Sequence, residues 1–204
     1  MEFHIEHTEV FGIDKSMIAA GNSFRTEMQD NTKPATEKDI QRAIKLGQTK
    51  PGEGHDQFMT SMIVSFDLYA PLYMWKEIQR YKFFDFVSSQ STMHCLTKFK
   101  LSEQCVEDTD HVILNRAQEL IDEYNKSKDN VNFTDEERKQ LWRKAIASLP
   151  CGFVLGATMV TNYRQLKTMY FQRRNHRLKE RHEFCHWCES LPLFKELIIG
   201  DENV

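Results

Sequence analysis

The chain has 204 residues, with 27 lysines and arginines against 30 aspartates and glutamates, for a formal net charge of −3. That length supports one well-buried core over 1–204, and the charge balance excludes a general attraction to nucleic-acid polymers or anionic membrane. No apolar run approaches the roughly 18 residues of a membrane span, and the first residues lack the basic start and apolar core of a signal peptide, so a soluble, cytoplasmic protein is expected.

Phe3 to Phe11 alternates loosely between apolar and polar residues and predicts an opening strand, which Gly12 closes. Asp14 is placed to cap a short helix through about Ala20, interrupted by Gly21-Asn22. Thr36 with Asp39 has the geometry of a capping box, and Ile40, Ala43, Ile44 and Leu46 give the helix that follows one apolar face up to Gly47. Lys50-Pro51-Gly52-Glu53-Gly54-His55-Asp56 is a turn by composition. Its glycines beside a His-Asp pair suit either an ordinary turn or a backbone cradle for a phosphate. Phe58 to Phe66 then predicts a buried strand or helix, and Ala70-Pro71 marks where a strand ends and a short helix begins.

Gln79 to His94 places cations and an amide before an aromatic run, then a Ser/Gln/Thr string. That order suits neither an amphipathic helix nor a buried strand, so the stretch predicts an irregular ligand loop on a rigid scaffold. Phe83, Phe84 and Phe86 suit stacking on a planar ring or simple core packing. Asp110 to Lys126 carries Val112, Ile113, Ala117, Leu120, Ile121 and Tyr124 at helical spacing, and Asp129 to Phe133 is a loop. Thr134 with Glu137 opens another capped helix, through Ile146, that Pro150 and Gly152 stop.

One long element is predicted from Asn162 to Ser190, with Asn162, Leu166, Met169 and Arg173 on one face over three turns. Arg173 then stands at the edge of the core and needs an acceptor, either a carboxylate of this chain or a ligand group. Within the same stretch, His182-Glu183-Phe184-Cys185-His186 matches a zinc-protease pattern, with Cys188 beside it. A helix packing Phe184, Trp187 and Cys188 while exposing Arg181 and Glu183 is the favoured reading there, and no metal site is expected. Cys95, Cys105, Cys151, Cys185 and Cys188 are an odd set without small-scaffold spacing, which predicts reduced thiols and no assigned nucleophile.

Thr161-Asn162-Tyr163-Arg164-Gln165-Leu166, followed by Phe171-Gln172-Arg173, resembles the C-terminal signature of the flavin-dependent thymidylate synthases. Leu149-Pro150 also stands where that family has Leu-Pro. Upstream, Ala70-Pro71-Leu72-Tyr73, Arg80-Tyr81-Lys82 and Ser88 to Ser91 resemble the family's second motif. The resemblance implies an α/β (α+β) fold with a central, mostly antiparallel sheet and long flanking helices. It also implies a homotetramer with active sites shared between subunits, using FAD, NADPH and methylenetetrahydrofolate to methylate dUMP.

Carried over by residue, the resemblance assigns Arg80, Lys82, Asn162 and His55 to the cofactor. Glu77, Ser89, Gln90, Ser91, Arg143, Arg164 and Arg173 fall to the pyrimidine nucleotide, with Arg173 also stabilising charge that develops on the ring. Arg80 and Arg173 are expected to converge on the same stack of cofactor and ring. Four positions depart from the second motif: Tyr81 replaces its histidine, Lys82 its second arginine, Asp85 its serine and Val87 its asparagine. The motif's terminal arginine falls on Thr92 or Met93, and Ile146 stands where the family has a nucleotide-binding arginine. These changes point to a divergent pyrimidine-modifying enzyme, with an inactive flavin- or nucleotide-binding homologue as the alternative.

Overall fold

The computed structural model describes residues 1–50 and 52–200, so Pro51 of the predicted turn lies outside the described residues. In chain order the elements are β1 (His4–Phe11), α1 (Ile13–Ala19), α2 (Glu37–Gly47), β2 (Ile63–Pro71), α3 (Leu72–Ile78), β3 (Asp85–Ser89), α4 (Thr92–Cys95), α5 (Leu101–Gln104), α6 (His111–Ser127), α7 (Asp135–Ala147), β4 (Val154–Asn162), α8 (Tyr163–Arg173) and α9 (Lys179–Ser190). Among the described residues the four strands form one antiparallel sheet in the order β1-β2-β4-β3. The α/β architecture with a central antiparallel sheet is therefore as the sequence implies. No described helix is long and apolar enough to cross a membrane.

The chain divides into two compact units. The first comprises 1–4, 68–80 and 87–157. Its core is built from Leu96, Leu101, Cys105, Ala117, Leu120, Ile121, Ala145 and Phe153. Here α6 packs along α7. Asp110 caps α6 by accepting from the Val112 and Ile113 amides. Thr134 and Glu137 form the reciprocal box that starts α7, which satisfies amide donors a first turn otherwise leaves unpaired. Gly156 in β4 is required by close approach, because a Cβ there would lie 2.7 Å from the Tyr69 ring. The space it leaves admits the Gln90 side chain, whose Oε1 accepts from the Gly156 amide at 2.9 Å.

The second unit comprises 5–50, 52–67, 81–86 and 158–200. Phe66, Phe84, Phe184 and Trp187 stack in one aromatic cluster, and Tyr163, Tyr170 and Phe194 in another. Thr36 and Asp39 make the predicted capping box of α2. Buried Asp39 also pairs with Arg25 at 2.8 Å and Arg42 at 3.0 Å.

Several local expectations are corrected. Gly12, at φ 78°, holds the N-cap position of α1, and Asp14 instead accepts from the Ala35 amide at 2.9 Å. Phe58 to Phe66 splits between a 3-10 turn over Gln57–Ser61 and the start of β2. The 79–94 stretch is not wholly irregular, because β3 and α4 form within it. Every residue of β3 is exposed, which erased the alternation a half-buried strand shows. The long C-terminal element is two helices. At the break His176 Nδ1 accepts from the Leu178 amide, and His182 Nε2 donates to the His176 carbonyl, a local polar alternative to the helical ladder.

Phe153 is fully buried. Phe153→Ala is expected to lower unfolding free energy by about 3–5 kcal/mol, and Thr134→Ala by about 1 kcal/mol, both measured by denaturant titration.

Candidate functional site

The second unit contains an open cleft of about 700 Å³, lined by residues of three segments: 52–63, 82–85 and 160–168. The third segment is the junction where β4 becomes α8. Asn162 ends the strand and caps the helix, accepting from the Gln165 amide at 2.9 Å through Oδ1, which leaves its amide nitrogen to donate. Arg164 follows two residues later on the same wall. Leu166 and Met169 are fully buried, as the helical spacing predicts, and anchor α8 to the core.

An ion-pair network underlies the cleft. Lys167 is 2% exposed, and its Nζ donates to the Gly47 carbonyl at 2.9 Å, the Thr49 carbonyl at 2.6 Å and Asp56 Oδ2 at 3.0 Å. The other carboxylate oxygen of Asp56 accepts from Arg164 Nε at 3.0 Å. Burial by itself would raise the Asp56 carboxyl, but the hydrogen bonds and charges of Lys167 and Arg164 outweigh it and hold the group below its ordinary range. The Asp56 loop is thereby tied to α8.

The middle segment supplies an aromatic wall. Phe83 is 64% exposed and adopts φ 60°, a left-handed conformation unfavourable for a bulky side chain. Its carbonyl accepts from Thr161 Oγ1 at 2.7 Å. Lys82 and Asp85 flank it on the cleft wall, both exposed. Of its two aromatic neighbours, Phe84 is buried in the core and Phe86 is exposed.

Lys82, Asn162 and Arg164 are thus brought to one cleft. Arg173, half-buried at the end of α8, donates from Nε to the Tyr81 hydroxyl at 2.7 Å, with its guanidinium carbon 5.5 Å from the centre of that ring. Tyr81 in turn donates to Gln172 Oε1 at 3.0 Å. His55 lines a different hollow, of about 390 Å³, beside Phe24, Leu46 and Phe58. In the first unit, Glu77 is half-buried on α3, and Arg80 follows that helix, exposed. Ser89 ends β3 and Ser91 stands just before α4, while Arg143 is exposed on α7. Gln90 is committed to β4 through both its side chain and its amide.

Sequence reasoning assigned no site role to Asp56 in the cleft wall or to Lys167 buried beneath it. Asp56 stands in the segment that suits either an ordinary turn or a phosphate cradle, without a role of its own, and the lysine beside Leu166 carries no signal of burial. In the zinc-like segment, His182, Glu183 and His186 are exposed whereas Cys185 and Cys188 are buried; Arg181, expected on the exposed face, is instead fully buried, and no described group of three or more His, Cys, Asp or Glu is arranged to hold a metal ion. Burial and the Glu189 charge push the Cys185 thiol up to about 11, far from a reactive thiolate.

No protein-family profile matches the sequence, and no curated protein matches it. Among solved structures, flavin-dependent thymidylate synthase ThyX from Helicobacter pylori, complexed with FAD and dUMP, superposes with a TM-score of 0.68 at 14% identity, covering 97% of each chain. The chain has the ThyX fold. A second structure of Thymidylate Synthase X from the same organism, again with FAD and dUMP, gives a TM-score of 0.67 at 15% identity and the same coverage. A ThyX fold at that identity retains the architecture, while each side chain of the cleft stands on its own chemistry.

The network predicts acid sensitivity. With its folded pKa below the ordinary value near 4, Asp56 contributes stability that is complete above that pH and lost as pH falls through the lowered value. Thermal unfolding followed from about pH 6 down to pH 2 should show a shallower acid loss in Asp56→Asn than in the parent. Lys167→Met, which leaves the buried carboxylate with one partner fewer, should cost about 3–5 kcal/mol at neutral pH.

Proposed function

We propose that this chain is a flavin-dependent enzyme of the thymidylate synthase type, modifying a pyrimidine deoxynucleotide such as dUMP reductively at C5. The observation that carries the reading is the agreement of fold over 97% of both chains with proteins whose structures hold FAD and dUMP. The cleft supports it from this chain's own residues. An exposed Phe83 ring, an Asn162 amide nitrogen and two cations, Lys82 and Arg164, form a donor set that fits a planar heterocycle carrying phosphate.

In this reading FAD, when bound, supplies the redox chemistry, with NADPH as its reductant and methylenetetrahydrofolate as the one-carbon donor. Asn162 and Lys82 hold the ring system and its polar edge. Arg173 hydrogen-bonds the pyrimidine and stabilises negative charge as it develops there, which a fixed cation shielded from water does better than solvent. Tyr81 sets its direction by taking one of its five donors. Arg80 and His55 serve the cofactor, while Glu77, Ser89, Gln90, Ser91, Arg143 and Arg164 serve the nucleotide. The whole chain acts as one such domain, within a homotetramer whose subunits complete each other's sites.

One observation favours a second reading, a flavin- or nucleotide-binding homologue without turnover. Arg173 is engaged by Tyr81, a residue that stands where the resembled motif has histidine. Spectroscopy separates the two. Purified protein reconstituted with FAD should show the visible absorbance of an oxidised flavin and bleach on adding NADPH. Arg173→Ala should keep that spectrum and lose roughly 10²–10³ in turnover of dUMP. A flavoprotein that bleaches yet turns over no pyrimidine nucleotide favours the binding homologue, and a colourless protein that FAD cannot reconstitute sinks both flavin readings.

A further inference from the structure

The charge relay beneath the cleft has a geometry that salt bridging alone does not require. Asp56 is buried and uses its two oxygens on two different cations, Lys167 through Oδ2 and Arg164 through Oδ1. It meets Arg164 at Nε, 3.0 Å away, and among the described residues no hydrogen bond engages either terminal amino group of that guanidinium. A carboxylate facing a guanidinium alone tends to take two donors side by side, in the bidentate fork. Here Lys167 holds the second oxygen. The guanidinium is therefore gripped by its inner edge, with its outer pair of donors on a side chain that lines the cleft.

We propose that Asp56 and Lys167 are positioning residues that hold Arg164 for a phosphoryl group of the ligand. The inference rests on reading the cleft as a nucleotide or flavin site, and goes beyond it by assigning the residues that aim the cation. Lys167 has a double part: it keeps Asp56 ionised, and it occupies the oxygen that would otherwise turn Arg164 inward. Two parallel N–H donors match the spacing of two phosphoryl oxygens, which a lysine at position 164 could not reproduce. Lys82 adds a second positive charge to the same lining, whereas Asp85 is its exposed carboxylate.

The phosphoryl group has two sources, the flavin and the pyrimidine nucleotide, and matched ligand pairs tell them apart: FMN against riboflavin, and dUMP against deoxyuridine. Inorganic pyrophosphate serves as a probe independent of either ring. Affinities are measured by titration calorimetry on the full chain for the parent, Asp56→Asn, Arg164→Gln and the double variant, with each variant's fold checked by thermal melting. In the parent, pyrophosphate should bind, and one phosphorylated ligand should bind more tightly than its partner. Asp56→Asn should shrink that preference by about tenfold, and in the Arg164→Gln background it should have no further effect, since the two act through one group.

A preference that survives Asp56→Asn, an equal loss in both backgrounds, or a parent that prefers no phosphorylated ligand and ignores pyrophosphate overturns the proposal. Should Asp56→Asn not fold, Arg164→Lys carries the test: it keeps the charge and the partner of Asp56, and must still lose the phosphate preference. Binding of pyrophosphate that depends on Asp56, with no binding of FMN, riboflavin or FAD, supports the positioning role and refutes the flavin reading.

Discussion

A single ammonium group fixes the second unit around its cleft. Lys167 is almost wholly removed from water, and a buried cation is tolerated only where hydrogen-bond acceptors replace its hydration. Its acceptors are the carbonyls of Gly47 and Thr49 and the carboxylate of Asp56. One side chain thus ties the end of α2 and the Asp56 loop to the middle of α8. The helix is held at its start as well, because Asn162 belongs at once to β4 and to the first cap of α8. Arg164 stands between these two anchors, so its direction is set by the fold before any ligand arrives.

The helices were the legible part of the sequence, for a physical reason. A capping box is a local device, satisfied within four residues, and both Thr36-Asp39 and Thr134-Glu137 form as their spacing predicts. The apolar faces of α2 and α6 repeat with the helical period and needed no partner to be recognised. Sheet order is a different matter, since β1 pairs with β2 and β2 with β4 across long stretches of chain, and nothing local encodes that. Strand β3 escaped notice because it is exposed throughout and buries no alternate face. The break between α8 and α9 also escaped, having neither glycine nor proline: His176 makes it through its own ring and carbonyl.

The site was half legible. The Thr161-to-Arg173 signature marked the start of a helix and placed Asn162 and Arg164 there, whereas the strand β4 that precedes it was not read. Lys167 in the same signature gave no warning, because a helical lysine is ordinarily a solvated one, and its partner Asp56 lies 111 residues away. For Phe83 the sequence leaves both ring stacking and core packing open, and only the backbone shows why it is exposed. A left-handed φ turns its ring out of the cluster that Phe84 enters, while Thr161 holds its carbonyl.

The departures from the resembled motif take on a different weight once their contacts are considered together. Tyr81 stands where the resembled motif has histidine, yet its hydroxyl accepts from Arg173 Nε and donates to Gln172 Oε1. A histidine there could place a second positive charge against the guanidinium, whereas a phenol accepts the bond and brings no cation. Thr161, in β4 just before α8, donates to the Phe83 carbonyl in the same short segment. Residues 81–83 are therefore fastened to the end of β4 and to the end of α8, by the two signature regions that the sequence singled out separately. A change at position 81 that preserves this fastening alters the chemistry beside Arg173 without dismantling the cleft.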